Sequence, residues 1–66
     1  MQISDLSQRE RSIVENVAAG DTNFQVGARL GTSEHVVKNY LRAIYDKLGL
    51  WNRTELSLWW IRQVEP

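Results

Sequence analysis

Apolar residues recur along the chain in four groups, each at helical rather than alternating spacing. In the first group Ile13, Val14 and Val17 share one face. Ser7 and Glu10 precede it as a capping box, in which each side chain bonds the other's backbone N–H. Ala18 and Ala19 end the run and Gly20 is the natural stop, so a helix is predicted at about 8–19. The second group is short. Thr22 and Gln25 repeat the capping pattern, Val26 and Leu30 face inward and Gly31 follows, which predicts a helix at about 23–30. Gly27 inside so short a helix costs about 1 kcal/mol relative to Ala. Plain tolerance would explain it, but close packing against another helix is the preferred reading.

The third group is the longest. Val37, Leu41, Ile44 and Leu48 form one stripe between Ser33, an N-cap, and Gly49, a stop. A helix is predicted at about 34–48, with His35, Lys38, Asn39, Arg42 and Asp46 on its far side. In the fourth, Asn52 and Glu55 cap a helix at about 53–63. Leu56, Trp59, Trp60 and Val64 fit an inward face there, and Leu58 and Ile61 do not. The expected fold is therefore all-α, a compact four-helix domain. Its second and third helices are joined only through Leu30-Gly31-Thr32-Ser33. A connection that short, with a glycine in it, is what a helix-turn-helix requires.

At 66 residues the chain is read as one domain, 1–66. There is no cysteine, so disulfides and thiolate metal sites are excluded and a reducing, cytoplasmic setting fits. No apolar run approaches the roughly 20 residues that span a bilayer, and the start MQISDLSQRE has no signal-peptide core. His35 is the single histidine. Without a second ligand it makes no metal site. It is either a solvated surface group or a phosphate contact. No nucleophile–base–orienter set can be assembled, and four short helices leave little room for a substrate pocket. An enzyme is not expected, nor is a cofactor.

Eight Lys and Arg balance eight Asp and Glu. Zero net charge argues mildly against nucleic acid, because non-specific DNA affinity comes mostly from neutralised phosphates. Distribution matters more. Residues 33–53 hold Lys38, Arg42, Lys47 and Arg53 against Glu34 and Asp46, a local charge of +2 that leaves −2 elsewhere. A 15-residue helix is roughly 22 Å long and fits the DNA major groove. Lys38 and Arg42, one turn apart, point the same way with Asn39 beside them. Arg or Lys donates to guanine O6 and N7, and Asn pairs with adenine N6 and N7. The starts of the second and third helices offer backbone N–H groups beside Thr22, Asn23, Thr32 and Ser33, which suit phosphate oxygens. The bland alternative is a solvated face, with Glu34–Lys38 and Arg42–Asp46 pairs at i,i+4.

The stretch LSQRERSIVENVAAGDTNFQVGARLGTSEHVVKNYLRAIYDKLGLWNRTELSLW resembles the LuxR/GerE-type DNA-binding domain of bacterial transcription regulators. The match runs from about Leu6 to Trp60. It is strongest at LSQRE (6–10), the AAG-x-TN turn (18–23), LGTSEHVVKNYLRAIYDKLGL (30–50) and NRTEL (52–56). The resemblance implies four helices with the third in the major groove, and Lys38, Asn39 and Arg42 at the base-facing positions. It implies backbone contacts from the turn and helix starts; Thr22, Asn23, Thr32, Ser33, His35, Lys47 and Arg53 are the candidates here. It implies dimerisation through the fourth helix, where Trp51, Leu58, Trp59 and Ile61 are the candidate patch. A two-fold dimer implies a near-palindromic operator with half-sites about one helical turn apart. RNA polymerase is a further candidate partner. Domains of this kind end response regulators and autoinducer receptors, or act in small regulators alone.

Four positions depart from the family pattern. Phe24 and Trp51 stand where polar residues are usual, Val36 replaces a usual Thr and Tyr40 a usual His. Val36 loses a hydroxyl that could bond phosphate, whereas Tyr40 still offers one. Together the four departures and the zero net charge lead to an expectation of weak binding by the isolated domain. These departures also motivate a rival reading, in which the same fold is a protein-interaction module. Its surface would be Phe24, Trp51 and the fourth helix.

Overall fold

The computed structural model describes residues 2–65; Met1 and Pro66, the ends of the expected domain, lie outside them. A short 3-10 helix at Ile3–Asp5 leads into α1 (Gln8–Ala18), α2 (Asn23–Leu30), α3 (Glu34–Leu48) and α4 (Arg53–Val64). The architecture is all-α, and the described residues hold no strand. The sequence-predicted bounds of α2 and α3 hold. Helix α1 stops one residue earlier than expected, with Ala19 as its C-cap, and α4 runs one residue further. The 3-10 turn was not anticipated.

Side-chain caps account for the helix starts. Ser7 Oγ accepts the Glu10 N–H at 3.1 Å while Glu10 Oε1 accepts the Ser7 N–H at 2.8 Å. Thr22 and Gln25 do the same for α2. Ser33 Oγ accepts the Val36 N–H, and Asn52 Oδ1 accepts the Glu55 N–H. The reciprocal bond at α4 is displaced, since Glu55 accepts the N–H of Trp51 at 2.6 Å. Each cap satisfies a helix N–H that has no partner within the helix.

The core is built by Ile13, Val14, Val17, Val26, Val37, Leu41, Ile44 and Leu56, closed by Leu6 and Trp60. Helices α2 and α3 pack on each other, and α4 packs chiefly on α1. One inward expectation is corrected. Val64 is 49% exposed, because α4 leaves the core after Trp60 and its last turn has no helix to cover it.

Gly31 takes φ +71°, a left-handed conformation costly for other L-residues, and so turns the chain between α2 and α3. Gly27 serves that turn from the other side. A Cβ there would lie 2.9 Å from the Thr32 carbonyl oxygen, 3.0 Å from the Ser33 carbonyl carbon and 3.2 Å from the Glu34 nitrogen. The close approach expected at Gly27 is therefore real, and it is made to backbone of the turn and the first residue of α3. Backbone cannot swing aside as a flexible side chain can. Gly27→Ala is expected to lower stability by about 1–3 kcal/mol by overpacking, despite the roughly 1 kcal/mol that Ala gains over Gly in an open helix. Urea unfolding checks the sign, and a stabilised variant would contradict the close approach.

Glu10 is the buried charged residue of the core margin. Lys47 Nζ donates to its Oε1 at 2.8 Å and lies 3.5 Å from the Asp5 carbonyl oxygen. The Lys47 bond, then the Ser7 N–H, hold the Glu10 carboxyl below its usual value of 4.5 despite burial. A depressed folded-state pKa contributes stability that is present above the unfolded value and lost as pH falls through the folded one. Wild type is therefore expected to be more stable than Glu10→Gln near neutral pH, with the gap closing below about pH 4.5. Urea midpoints for both proteins across that range provide the check; a gap independent of pH would remove the ion pair as its cause.

Candidate nucleic-acid interface

Burying Val37, Leu41 and Ile44 turns the other side of α3 to solvent. His35, Lys38, Asn39, Arg42 and Asp46 are all exposed there, as the helical wheel predicts. Ion pairs form at Arg29–Asp21 and Lys47–Glu10. The Glu34–Lys38 and Arg42–Asp46 pairs of the solvated-face reading do not form, and among the described residues no carboxylate lies within 4.0 Å of Lys38 or Arg42. These two cations are in no ion pair, on the face where Asn39 and Asp46 also stand.

The start of α2 is brought beside that face by α4. Arg53 Nη1 donates to Asn23 Oδ1 at 2.7 Å, and Nη2 donates to the Asp21 carbonyl oxygen. The Asp21 carboxylate in turn takes Arg29 Nε at 2.7 Å. The turn before α2 is thus held from both sides. Asn23, Lys38, Leu41, Arg42, Tyr45 and Arg53 line one surface depression of about 330 Å³. The larger depression lined by Ser7, Gln8, Arg9, Ser12 and Leu30 includes no residue of α3.

The residues assigned to the DNA backbone fall into two sets. Thr22 and Ser33 use their oxygens as caps, and each hydroxyl keeps its proton for an outside acceptor. Asn23 spends its oxygen on Arg53 and keeps its NH2. Thr32 is half-buried and His35 exposed at the start of α3. Lys47 and Arg53 are already engaged within the molecule, Lys47 with Glu10 and Arg53 with Asn23 and Asp21. Sequence reasoning missed both attachments, and it missed Tyr45. The paired residues lie 37 and 30 positions apart, beyond the reach of any helical pattern.

Of the candidate dimer patch, Trp51 is 86% exposed, Leu58 49% and Ile61 41%, while Trp59 is half-buried against the core. Phe24 is 69% exposed, as its wheel position predicts. Among the described residues no group of three or more His, Cys, Asp or Glu could hold a metal ion, and no helix is long and apolar enough to cross a membrane.

A helix-turn-helix with Lys38 and Arg42 exposed on its second helix has the form of a DNA-binding module. The family model for bacterial regulatory proteins of the luxR family matches residues 4–60, and the chain belongs to that family. It is 45% identical over 51 residues to the probable transcriptional regulatory protein SgaR of Hyphomicrobium methylovorum, covering 77% of this chain and 24% of that protein. It is 34% identical over 56 residues to the DNA-binding transcriptional activator DevR/DosR of Mycobacterium tuberculosis, covering 85% and 26%. With the nitrate/nitrite response regulator protein NarL of Escherichia coli the identity is 32% over 57 residues, covering 86% and 26%. The chain thus spans about a quarter of the length of these relatives. No solved structure matches it.

Proposed function

We propose that the chain binds a specific double-stranded operator as part of a bacterial transcription regulator, with α3 in the major groove. Lys38, Asn39 and Arg42 read base edges. Thr22, Asn23, Thr32, Ser33 and His35 hold the phosphate backbone, and Lys47 and Arg53 add charge there. Two copies pair through Trp51, Leu58, Trp59 and Ile61, with Val64 one turn on, so the operator is a near-palindrome. RNA polymerase is the candidate further partner, and the bacterial cytoplasm, at the nucleoid, is the setting. The observation that carries this reading is the pair of cations outside the ion pairs, Lys38 and Arg42, flanking Asn39 on the exposed side of α3.

The test is an amide-resolved NMR titration of the labelled protein with a generic duplex at low salt, followed by site selection. Shifts centred on residues 32–42 that fade as salt rises support the reading. The exposure of Trp51, Leu58 and Ile61 favours one rival, a protein-interaction module on the same fold. Self-association shifts on α4 with none on α3 would move the assignment to that module.

A further inference from the structure

Three cationic side chains from two helices converge on one depression. Lys38 and Arg42 come from α3 and Arg53 from α4, with Asn23 and the ring of Tyr45 completing the lining. No carboxylate is among the lining residues. Of the acidic residues near the lining in sequence, Asp21 has its carboxylate turned to Arg29 and Glu55 accepts the Trp51 N–H. Asp46 is exposed beyond Tyr45 and outside the lining, and Glu34 lines the neighbouring depression past Asn23.

Arg53 is anchored rather than free. A guanidinium carries five N–H groups, and Asn23 and Asp21 take one each, so the remainder can meet a ligand with the plane already fixed. Fixing the plane in advance reduces the ordering cost of binding. Tyr45 is half-buried. Burial pushes its phenol up, while the charge of Arg53 pulls it partly back, so it stays protonated and able to donate. The NH2 of Asn23 is a further donor. The depression therefore offers donors and positive charge, and it suits one tetrahedral oxyanion.

We infer that this depression is the seat of a single DNA backbone phosphate, held by Arg53 and Tyr45 with Lys38 and Arg42 supplying charge beside them. The inference rests on the proposed operator binding and refines it. Arg53 ceases to be a loose surface cation and becomes an anchored phosphate ligand. Tyr45 becomes a DNA contact. Since one phosphate would touch residues of α3 and α4 together, it would fix how α3 enters the groove.

The test uses the selected operator with single phosphates replaced, one at a time, by neutral methylphosphonate. Wild type and Tyr45→Phe are compared; the variant keeps the ring and loses only the hydroxyl, and urea unfolding checks that its fold is intact. At one position per half-site the replacement is expected to weaken wild type about tenfold, the effect of losing a hydrogen bond to a charged group. The same replacement should weaken Tyr45→Phe measurably less, because the hydroxyl contact is already gone there while those of Arg53 and the neighbouring charges remain to be lost. Additive effects at every position would overturn the seat. In a second arm the free protein is titrated with inorganic phosphate against chloride at equal ionic strength. Shifts at Tyr45 and Arg53 there, with no coupling on the duplex, would assign the depression to a small oxyanion and overturn the DNA source. A selection that yields no bound duplex would overturn operator binding itself, and is told apart because no methylphosphonate scan is then reached.

Discussion

Leu56→Ala is expected to cost about 2–5 kcal/mol, the range for removing a large aliphatic side chain from a packed core. Leu56 is fully buried, and a domain of this size has only about 3–10 kcal/mol to lose at the usual 0.05–0.15 kcal/mol per residue. The effect is magnified by topology. Helix α4 rests chiefly on α1, and its buried residues are Leu56 and Trp60. Removing one of the two leaves α4 attached largely through Trp60 and the Arg53 bonds to Asn23 and Asp21. Urea unfolding should show the loss as a lower midpoint. Amide exchange should show α4 losing protection before α2 and α3, since those two pack chiefly on each other. A loss below about 1 kcal/mol would mean that the site collapses and that α4 has another attachment.

The same topology explains what could be read from the sequence. The starts of all four helices were legible because Ser7, Thr22, Ser33 and Asn52 are caps whose chemistry is local, acting within three residues. The ends of α2 and α3 were legible because Gly31 and Gly49 stop them. The end of α4 was not, for no glycine follows it and its last turn faces solvent. The inward stripe therefore overran to Val64. Periodicity reports which residues share a face. It does not report which faces meet, so the outer face of α3 was readable and the Arg53–Asn23 and Glu10–Lys47 attachments were not. The exposure of Phe24 followed from its place off the Val26 and Leu30 face.

Those attachments also bear on the zero net charge. Lys47 and Arg29 are neutralised by Glu10 and Asp21, and Arg9 and Arg53 are turned toward backbone carbonyls. Two carboxylates are thus spent on cations away from the outer face of α3. Among the described residues Lys38 and Arg42 stay out of ion pairs although Glu34 and Asp46 share their helix. A neutral chain can carry a positive face in this way, because the field at a groove depends on placement and not on the sum. Binding should accordingly be local and salt-sensitive, with little long-range attraction.

The Lys38→Ala/Arg42→Ala double variant is the decisive change for that face. Each residue placed on a base edge is worth about 1–3 kcal/mol of discrimination, so the pair is expected to cost about 2–6 kcal/mol of specific affinity if the two act independently. Neither side chain belongs to the core or to an ion pair among the described residues, so thermal unfolding should be nearly unchanged. That contrast separates this variant from Leu56→Ala, which acts on the fold. Two readings of the loss can then be told apart by salt. If both residues contact phosphate alone, generic and selected duplexes weaken together and the slope of log K against log salt flattens by about two units. If they read bases, the selected duplex weakens more than the generic one and the preference between them shrinks. Competition binding on both duplexes at several salt concentrations, with retention on heparin as a coarse companion, distinguishes the cases. Unchanged affinity for both duplexes would remove α3 from the interface altogether and leave the exposed surface of Phe24, Trp51 and α4 as the functional one.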